Sequence, residues 1–176
     1  PVGNDIKVFD LDQLAPFVDR FVATLFFENG EEDEPGPLAT QDWWNQWWEV
    51  LSAHGEPEQW LAGIGSFGYD WGSERAEILS FPDIMARALL AKEGSISTPE
   101  SSYQPYFSYL ESGTRHTVWF LDAVTFRNQL HELQLRQAGG MAVYRLGTED
   151  PGIWDVIADP NLKPERLQKL DLSNAI

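Results

Sequence analysis

The stretch WLAGIGSFGYDW, residues 60–71, decides the predicted fold. It begins as a continuous apolar run, which is typical of a strand buried on both faces of a parallel sheet. It continues into GYDW, a segment rich in glycine and aromatic residues that predicts a turn. Two other runs have the same strand character, RFVATLFF at 20–27 and GMAVYRL at 140–146. We therefore expect a parallel sheet built from three buried strands.

A tryptophan-rich helix is predicted between the first two of these strands. Its sequence is QDWWNQWWEVLSAHG, residues 41–55, and Thr40 is placed to cap it. At about 100° per residue, the four tryptophans share one arc of the helix surface with Val50 and Leu51. Such a stripe is more often a core face than a platform for a ligand. We expect it to pack this helix against the sheet.

An additional unit is predicted between the second and third strands. Residues 81–92 have a helical pattern. The segment YFSYLESGTRHTVWFLD, residues 106–122, predicts a hairpin of two aromatic-rich strands around a turn at residues 111–114.

Helices flank the third strand. Asp122 can cap a long helix over residues 123–138, and a last short helix begins after Asp150, with Trp154 and Ile157 expected on its inner side. The alternation of helices and strands around one inserted unit is typical of βα units on a parallel sheet.

Composition limits the possible functions. The chain has 176 residues, which suits one domain, and a formal net charge of −16 from 28 acidic and 12 basic residues. This charge excludes a nucleic acid partner, because phosphate binding needs clustered lysine and arginine. The chain has no cysteine and three widely spaced histidines, so we predict neither a metal site nor a cofactor. It has no apolar run of about 20 residues and no secretory signal, so we expect any targeting information to lie outside it.

Four motifs carry a resemblance to a known family. They are EPGPLATQDWW, GYDW, RHTVWFLDAVTFRNQL and GGMAVYRLGTEDPGIW, in this order. Together they resemble the second half of a family 18 glycoside hydrolase barrel, the chitinase-like fold. They are most similar to the chitinase-like domain of bacterial proteins that join it to a polysaccharide deacetylase and a family 2 glycosyltransferase.

The resemblance implies an α/β fold, a partial TIM (β/α)8 barrel with a small α+β insertion. The three buried strands would be barrel strands six, seven and eight, and PVGN, residues 1–4, would be the end of strand five. The partial barrel would cover residues 1–158, with the insertion at about 74–121, and residues 159–176 would be a polar tail or linker.

The resemblance also bears on catalysis. The family signature D-x-x-D-x-D-x-E on strand four is absent from this chain. Where the family usually has the tyrosine and aspartate of Met-x-Tyr-Asp at the end of strand six, this chain has Phe26 and Phe27. Tyr144 stands where the family has a tryptophan on strand eight. Family 18 enzymes use the substrate's own acetamide as nucleophile, and the groups that hold it are missing here. The resemblance therefore implies carbohydrate recognition without hydrolysis by this chain.

Apart from Trp119, which lies in the predicted hairpin, the candidate substrate-binding residues lie at the carboxyl ends of the predicted barrel strands, where this fold places its active site. For Tyr69 and Trp71, the alternative is that they pack beneath the insertion. For Arg145, the alternative is an ion pair with Glu149 or Asp150. The full set is Phe26, Phe27, Glu28, Tyr69, Asp70, Trp71, Trp119, Tyr144 and Arg145.

An acidic loop follows the first strand, with five carboxylates among residues 28–34. A solvated charge run is the simpler interpretation. The functional alternative is attraction for a cationic polymer such as a partly deacetylated glucosamine polymer, which should weaken with added salt.

Three functions remain open from the sequence. The first is a carbohydrate-recognition part of a polysaccharide-processing protein, with an N-acetylglucosamine-type or glucosamine-type oligosaccharide or polysaccharide as partner. The second is part of an active β-N-acetylhexosaminide hydrolase whose catalytic acid lies upstream, and the third is an interdomain scaffold. The open edges of a partial barrel also predict self-association. The resemblance alone places the chain in an extracytoplasmic domain of a membrane-associated bacterial protein.

Overall fold

A computed structural model of the chain describes residues 9–72, 75–91 and 96–162. The strands are β1 (Phe21–Thr24), β2 (Trp60–Gly65), β3 (Gly68–Trp71), β4 (Glu77–Leu79), β5 (Tyr106–Glu111), β6 (Thr114–Phe120) and β7 (Gly140–Tyr144). The helices are α1 (Leu11–Leu14), α2 (Gln41–Ser52), α3 (Phe81–Leu90), α4 (Ala123–Leu135) and α5 (Gly152–Ala158).

The three predicted strands form a parallel sheet in the order β1–β2–β7. The prediction that all three are buried is wrong for β1 and β7, because they lie at the edges and only β2 is buried along most of its length. Phe21 lies beside Trp60, and Leu61 lies beside Gly140. Among the described residues β1 and β7 are edge strands, so the sheet is open and the partial barrel is confirmed. The predicted end of strand five, residues 1–4, lies outside the described residues.

A second, antiparallel sheet has the order β4–β3–β6–β5. The predicted hairpin is confirmed as β5 and β6, and Gly113 in its turn has a φ of 85°, which glycine adopts without strain. The predicted turn at GYDW is wrong, because these residues form strand β3. Gly68 lies beside Phe120 and Trp71 beside Thr117, so the strand is stabilised by partners far away in the sequence.

Helix α2 packs its tryptophans into the core, as predicted. The Thr40 side chain accepts a hydrogen bond from the backbone N–H of Trp43 and caps the helix. Trp44 and Trp48 are buried, and their rings stack with centroids 5.6 Å apart. Val50 is exposed, so the buried stripe is narrower than predicted. The stripe is therefore a core face.

Helices α4 and α5 complete the layer beside the parallel sheet. Asp122 caps α4 as predicted, accepting a hydrogen bond of 2.8 Å from the backbone N–H of Thr125. On α5 the prediction is confirmed for Ile157, which is partly buried against the core, and is wrong for Trp154, which is 46% exposed. Ile153 and Val156 are the buried apolar residues of this helix. The core contact of Ile153 fixes the rotation of this helix, and the next residue then points about 100° away. No helix in the described ranges is long and apolar enough to cross a bilayer.

Candidate functional site

Aromatic rings meet where the three parallel strands end. Phe26 follows β1, Phe67 follows β2, and Tyr144 is the last residue of β7. The rings of Phe26 and Tyr144 stack with centroids 5.1 Å apart, and Phe67 meets both edge-on at 5.8 and 5.9 Å. We call the following group the aromatic cluster: Phe26, Phe27, Phe67, Tyr69, Trp71 and Tyr144.

Gly65, at the end of the central strand, lets these rings approach one another. A Cβ atom on this residue would lie 2.9 Å from the Cβ of Phe26 and 2.9 Å from a ring carbon of Phe67. Such contacts are closer than packed carbon atoms allow. The cluster therefore requires glycine at position 65, because a larger side chain would displace Phe26 or Phe67.

Tyr144 is the exposed member of this stacked group. Its side chain is 44% exposed, whereas Phe26 and Phe67 are buried. The peptide bond between Tyr144 and Arg145 is cis. Two buried rings thus support one aromatic side chain that faces solvent at the carboxyl end of the sheet.

Arg145 is exposed and does not form the expected ion pair. The Glu149 carboxylate accepts a hydrogen bond from the backbone N–H of Gly147 instead. The Asp150 carboxylate accepts hydrogen bonds of 2.8 Å from the backbone N–H groups of Ala123 and Gly152. The predicted pairing of Arg145 with either acid is therefore wrong.

Tyr69 and Trp71 extend the cluster beneath the inserted sheet. Tyr69 meets Phe67 edge-on at 5.4 Å and meets Trp71 at 5.4 Å. Both side chains are buried. Burial, and then the nearby Glu31, raise the pKa of Tyr69 to about 12. The packing alternative therefore describes these two residues, although Trp71 also lines a groove described below.

Trp119 lies in strand β6, beside Tyr69 of β3. It is partly buried and packs against the aromatic cluster. On its other side it stacks on Tyr106, with ring centroids 4.5 Å apart. This residue therefore connects the inserted sheet to the candidate site.

Asp70 is directed away from the aromatic cluster. Successive residues of a strand point to opposite faces, so Asp70 faces the other side of β3 from its two aromatic neighbours. Its buried carboxylate accepts a hydrogen bond of 2.6 Å from the Tyr109 hydroxyl, lies 2.9 Å from Nδ1 of His116 and pairs with Arg87. This carboxylate is bound within the inserted unit.

Glu28 is also engaged in the structure. Its carboxylate accepts hydrogen bonds of 2.6 Å from the backbone N–H of Thr40 and 3.0 Å from the Thr40 hydroxyl. Burial raises its pKa above the usual range, and these two hydrogen bonds act in the opposite direction. The side chain therefore holds the start of α2.

The acidic loop borders a groove beside the cluster. The groove has a volume of about 360 Å³, and we call it the acidic groove. The loop is held against the chain that follows β3, since Glu31 and Arg75 form an ion pair of 2.6 Å. The lining residues are Glu32, Asp33, Glu34, Pro35, Trp71, Gly72 and Arg115.

Phe67, which supports Tyr144, and Arg115, which lines the groove, were not among the predicted site residues. Phe67 is the second residue after β2, as Phe26 is the second residue after β1. Its position after a predicted strand could therefore have identified it as a site residue. Arg115 lies in the hairpin, and only the pairing of β6 with β3 brings it to the groove. Within the described part of the chain, no group of three histidine, aspartate or glutamate residues is arranged to hold a metal ion.

The fold of this chain is similar to that of bacterial chitinases and spore cortex-lytic glycosylases of known structure. A chitinase from Chromobacterium violaceum matches 88% of this chain with a TM-score of 0.80 and 24% identity, and this chain covers 49% of it. The spore cortex-lytic enzyme SleL of Bacillus cereus matches 88% with a TM-score of 0.76 and 20% identity, with 37% of that chain covered.

Sequence similarity points to the same group of proteins. The uncharacterised glycosylase YvbX of Bacillus subtilis is 22% identical over 152 residues, which are 85% of this chain and 44% of YvbX. The coverages of 49%, 37% and 44% mean that this chain spans about half, or less, of the length of these relatives. No family model matches the chain.

Proposed function

We propose that this chain is the carbohydrate-recognition part of a chitinase-like domain and that it binds N-acetylglucosamine-type or glucosamine-type oligosaccharides without cleaving them by itself. One observation carries the proposal: Tyr144 is held, half exposed, on buried rings at the carboxyl end of the parallel strands. In barrels of this kind the carboxyl end carries the ligand site. An aromatic face fixed there can stack on the apolar face of a sugar ring.

The two carboxylates among the predicted site residues, Glu28 and Asp70, support a binding role. Glycoside hydrolysis generally needs a carboxylic acid that can reach the glycosidic oxygen. Glu28 is bound to Thr40, and Asp70 is bound to Tyr109 and Arg87 on the other face of β3. Neither side chain is available to a sugar that lies on Tyr144.

A tryptophan-fluorescence titration with N-acetylglucosamine and glucosamine oligomers tests the proposal. We expect a saturable change with the wild-type chain and at least a fivefold weaker affinity, roughly, for Tyr144→Ala. Phe17→Ala is the matched control, because Phe17 is an exposed aromatic residue that precedes β1 at the opposite end of the sheet. An unchanged signal of the wild-type chain with every oligomer would contradict the proposal and favour an interdomain scaffold.

A second candidate is hydrolysis by a longer protein whose catalytic acid lies on strand four. The fold match to a chitinase of about twice this length favours it. Cleavage of chitin oligomers by a longer form that contains strand four would support it, and the apolar pair Phe26 and Phe27 argues against it. Fusion to deacetylase and glycosyltransferase domains, and an extracytoplasmic location, stay proposals that rest on the sequence resemblance.

A further inference from the structure

Arg145 directly follows Tyr144, the exposed aromatic residue of the candidate site. The Arg145 side chain is exposed, and it forms no ion pair with any carboxylate of the described residues. Arg75, Arg87 and Arg136, in contrast, each pair with at least one carboxylate. Acidic residues outnumber basic ones by 28 to 12 in this chain. An arginine that has no acidic partner beside the candidate site therefore leaves its positive charge available to a ligand.

The backbone on both sides of the Arg145 side chain is fixed. The carbonyl oxygen of Tyr144 accepts a hydrogen bond of 2.7 Å from the backbone N–H of Ser66, which follows β2. The carbonyl oxygen of Arg145 lies 2.9 Å from the Thr148 hydroxyl, which is also 3.0 Å from the carbonyl oxygen of Ser66. Ser66 and Thr148 are both buried. These contacts hold Arg145 at the carboxyl end of the sheet, while its side chain remains exposed.

The acidic residues that follow Arg145 in the chain do not neutralise it. The Glu149 carboxylate accepts a hydrogen bond from the backbone N–H of Gly147. The Asp150 side chain is buried and accepts two hydrogen bonds of 2.8 Å from backbone N–H groups. The positive charge next to Tyr144 is therefore not compensated by the acids of its own loop.

Two adjacent side chains thus combine an aromatic face with a positive charge. The Tyr144 ring is half exposed and is supported by the buried ring of Phe26, so it offers a face to a sugar ring. A guanidinium binds a carboxylate through two parallel N–H···O hydrogen bonds. Consecutive Cα atoms are at most about 3.8 Å apart, and the arginine side chain is long. A carboxylate on a sugar that lies on Tyr144 is therefore within reach of Arg145.

We propose that Arg145 is a specificity-determining residue, which binds the carboxylate of an acidic sugar stacked on Tyr144 or of the unit next to it. The preferred ligand is then an oligosaccharide in which N-acetylglucosamine units are joined to carboxylate-bearing units. The carboxylate has two chemical sources, the ring carbon of a uronic acid or the lactyl ether of N-acetylmuramic acid. This inference rests on the proposed carbohydrate binding and adds the charge of the preferred ligand.

The test measures the affinity of the full chain for three oligosaccharides of equal length by tryptophan fluorescence. The first contains only N-acetylglucosamine, the second alternates it with N-acetylmuramic acid, and the third alternates it with glucuronic acid. The methyl esters of the two acidic oligosaccharides are the matched ligands, because they keep the sugar units and lack the charge. A salt concentration of about 0.15 M, with a Debye length of about 8 Å, screens the distant acidic residues of the chain.

Three variants separate a local contact from an effect of net charge. Arg145→Gln removes the charge of a side chain that has no ion pair in the described structure, so we expect the variant to fold like the wild type. Arg145→Lys keeps the charge and loses the planar arrangement of donors. Arg20→Gln is the control, because Arg20 is also exposed and precedes β1, at the opposite end of the sheet.

We expect the wild-type chain to bind at least one acidic oligosaccharide about fivefold more tightly than its methyl ester, as for an exposed pair of good geometry. Arg145→Gln should lose this preference, Arg145→Lys should keep part of it, and Arg20→Gln should keep all of it. A preference for only one of the two acids would support the proposal and identify the source of the carboxylate.

The remaining outcomes contradict the proposal in different ways. Equal affinity of the wild-type chain for each acid and its ester, with binding of the neutral oligomer, would overturn the role of Arg145 and leave carbohydrate binding intact. A preference that survives in Arg145→Gln would overturn it as well. Loss of the preference in Arg20→Gln would overturn it by showing an effect of net charge alone. Binding of none of the oligosaccharides would overturn both proposals.

Discussion

The hydroxyl of Tyr109 donates a hydrogen bond of 2.6 Å to the carboxylate of Asp70. The same carboxylate pairs with Arg87 and lies 2.9 Å from Nδ1 of His116. These partners come from helix α3 and both strands of the hairpin, so Asp70 joins three elements of the inserted unit. Its role in the described structure is to hold that unit together.

Replacement of Asp70 with asparagine should therefore destabilise the protein. The new side chain would have the same shape without the charge and would leave the guanidinium of Arg87 without its buried partner. Because Arg87 remains partly exposed, we expect a loss of about 2–3 kcal/mol in the free energy of unfolding, less than for a fully buried pair. Urea denaturation followed by circular dichroism would measure it.

Glu77→Gln is the control for this prediction. Glu77 also bonds to Arg87, at 2.7 Å, but its carboxylate is largely exposed. We expect a loss of about 1 kcal/mol or less. Equal losses for the two variants would show that burial of Asp70 does not determine the effect.

Buried and exposed tryptophans should contribute unequally to stability. Trp44→Ala would leave a large cavity in the core beside α2, so we expect a loss of about 3–5 kcal/mol in the free energy of unfolding. Trp154→Ala, at a half-exposed position on α5, should cost about 1 kcal/mol or less. Thermal or chemical denaturation of the two variants side by side would measure the difference. A small effect of Trp44→Ala would contradict the assignment of the α2 stripe to the core.

Sequence patterns predicted the elements whose signals are local. The three parallel strands, the cap at Thr40 and the hairpin turn each depend on a few neighbouring residues, and the structure confirms them. The burial of the strands depends on the rest of the sheet, and only the central strand β2 is buried along most of its length. GYDW was predicted as a turn because the prediction used only the glycine and aromatic residues within this segment. Its pairing with β6, more than 40 residues later, is not visible in that pattern.

The candidate site shows the same limit. The ends of buried strands predicted Phe26 and Tyr144, and these two residues do meet in the structure. Asp70 has partners that follow it by 17, 39 and 46 residues, so its contacts could not be read from the sequence. In the structure, Asp70 lies on the opposite face of β3 from Tyr69 and Trp71, and this placed it outside the predicted site.

Asp122 should make stability depend on pH in a defined window. Burial raises its pKa from the usual 3.8 to about 6, while hydrogen bonds from Thr125 act in the opposite direction and Asp150 adds to the increase. Between these two values the folded state holds a proton that the unfolded state has released. The contribution of Asp122 to stability is therefore fully present below about pH 3.8 and is lost as the pH rises through about 6.

The variant Asp122→Asn tests this effect. The asparagine oxygen can still accept the hydrogen bond from the Thr125 N–H, so the cap of α4 is kept. We expect the stability of the variant relative to the wild type to increase as the pH rises from about 4 to about 7, in measurements of the free energy of unfolding at several pH values. A constant difference across this range would contradict the raised pKa. Asp150, whose pKa burial also raises, stays unchanged in both proteins.

The open edge of the parallel sheet should cause self-association. In the described residues, β1 pairs with β2 on one side only, and Val22 on this strand is 52% exposed. An unpaired apolar strand can pair with a second chain, whereas a lysine on such an edge opposes pairing. We therefore expect the wild-type chain to associate at micromolar concentration and Val22→Lys to be more monomeric in light scattering. Val50→Lys, at an exposed position on α2, is the control and should associate like the wild type. A monomeric wild-type chain at this concentration would contradict the prediction, and equal association of all three proteins would show that the β1 edge is not the contact.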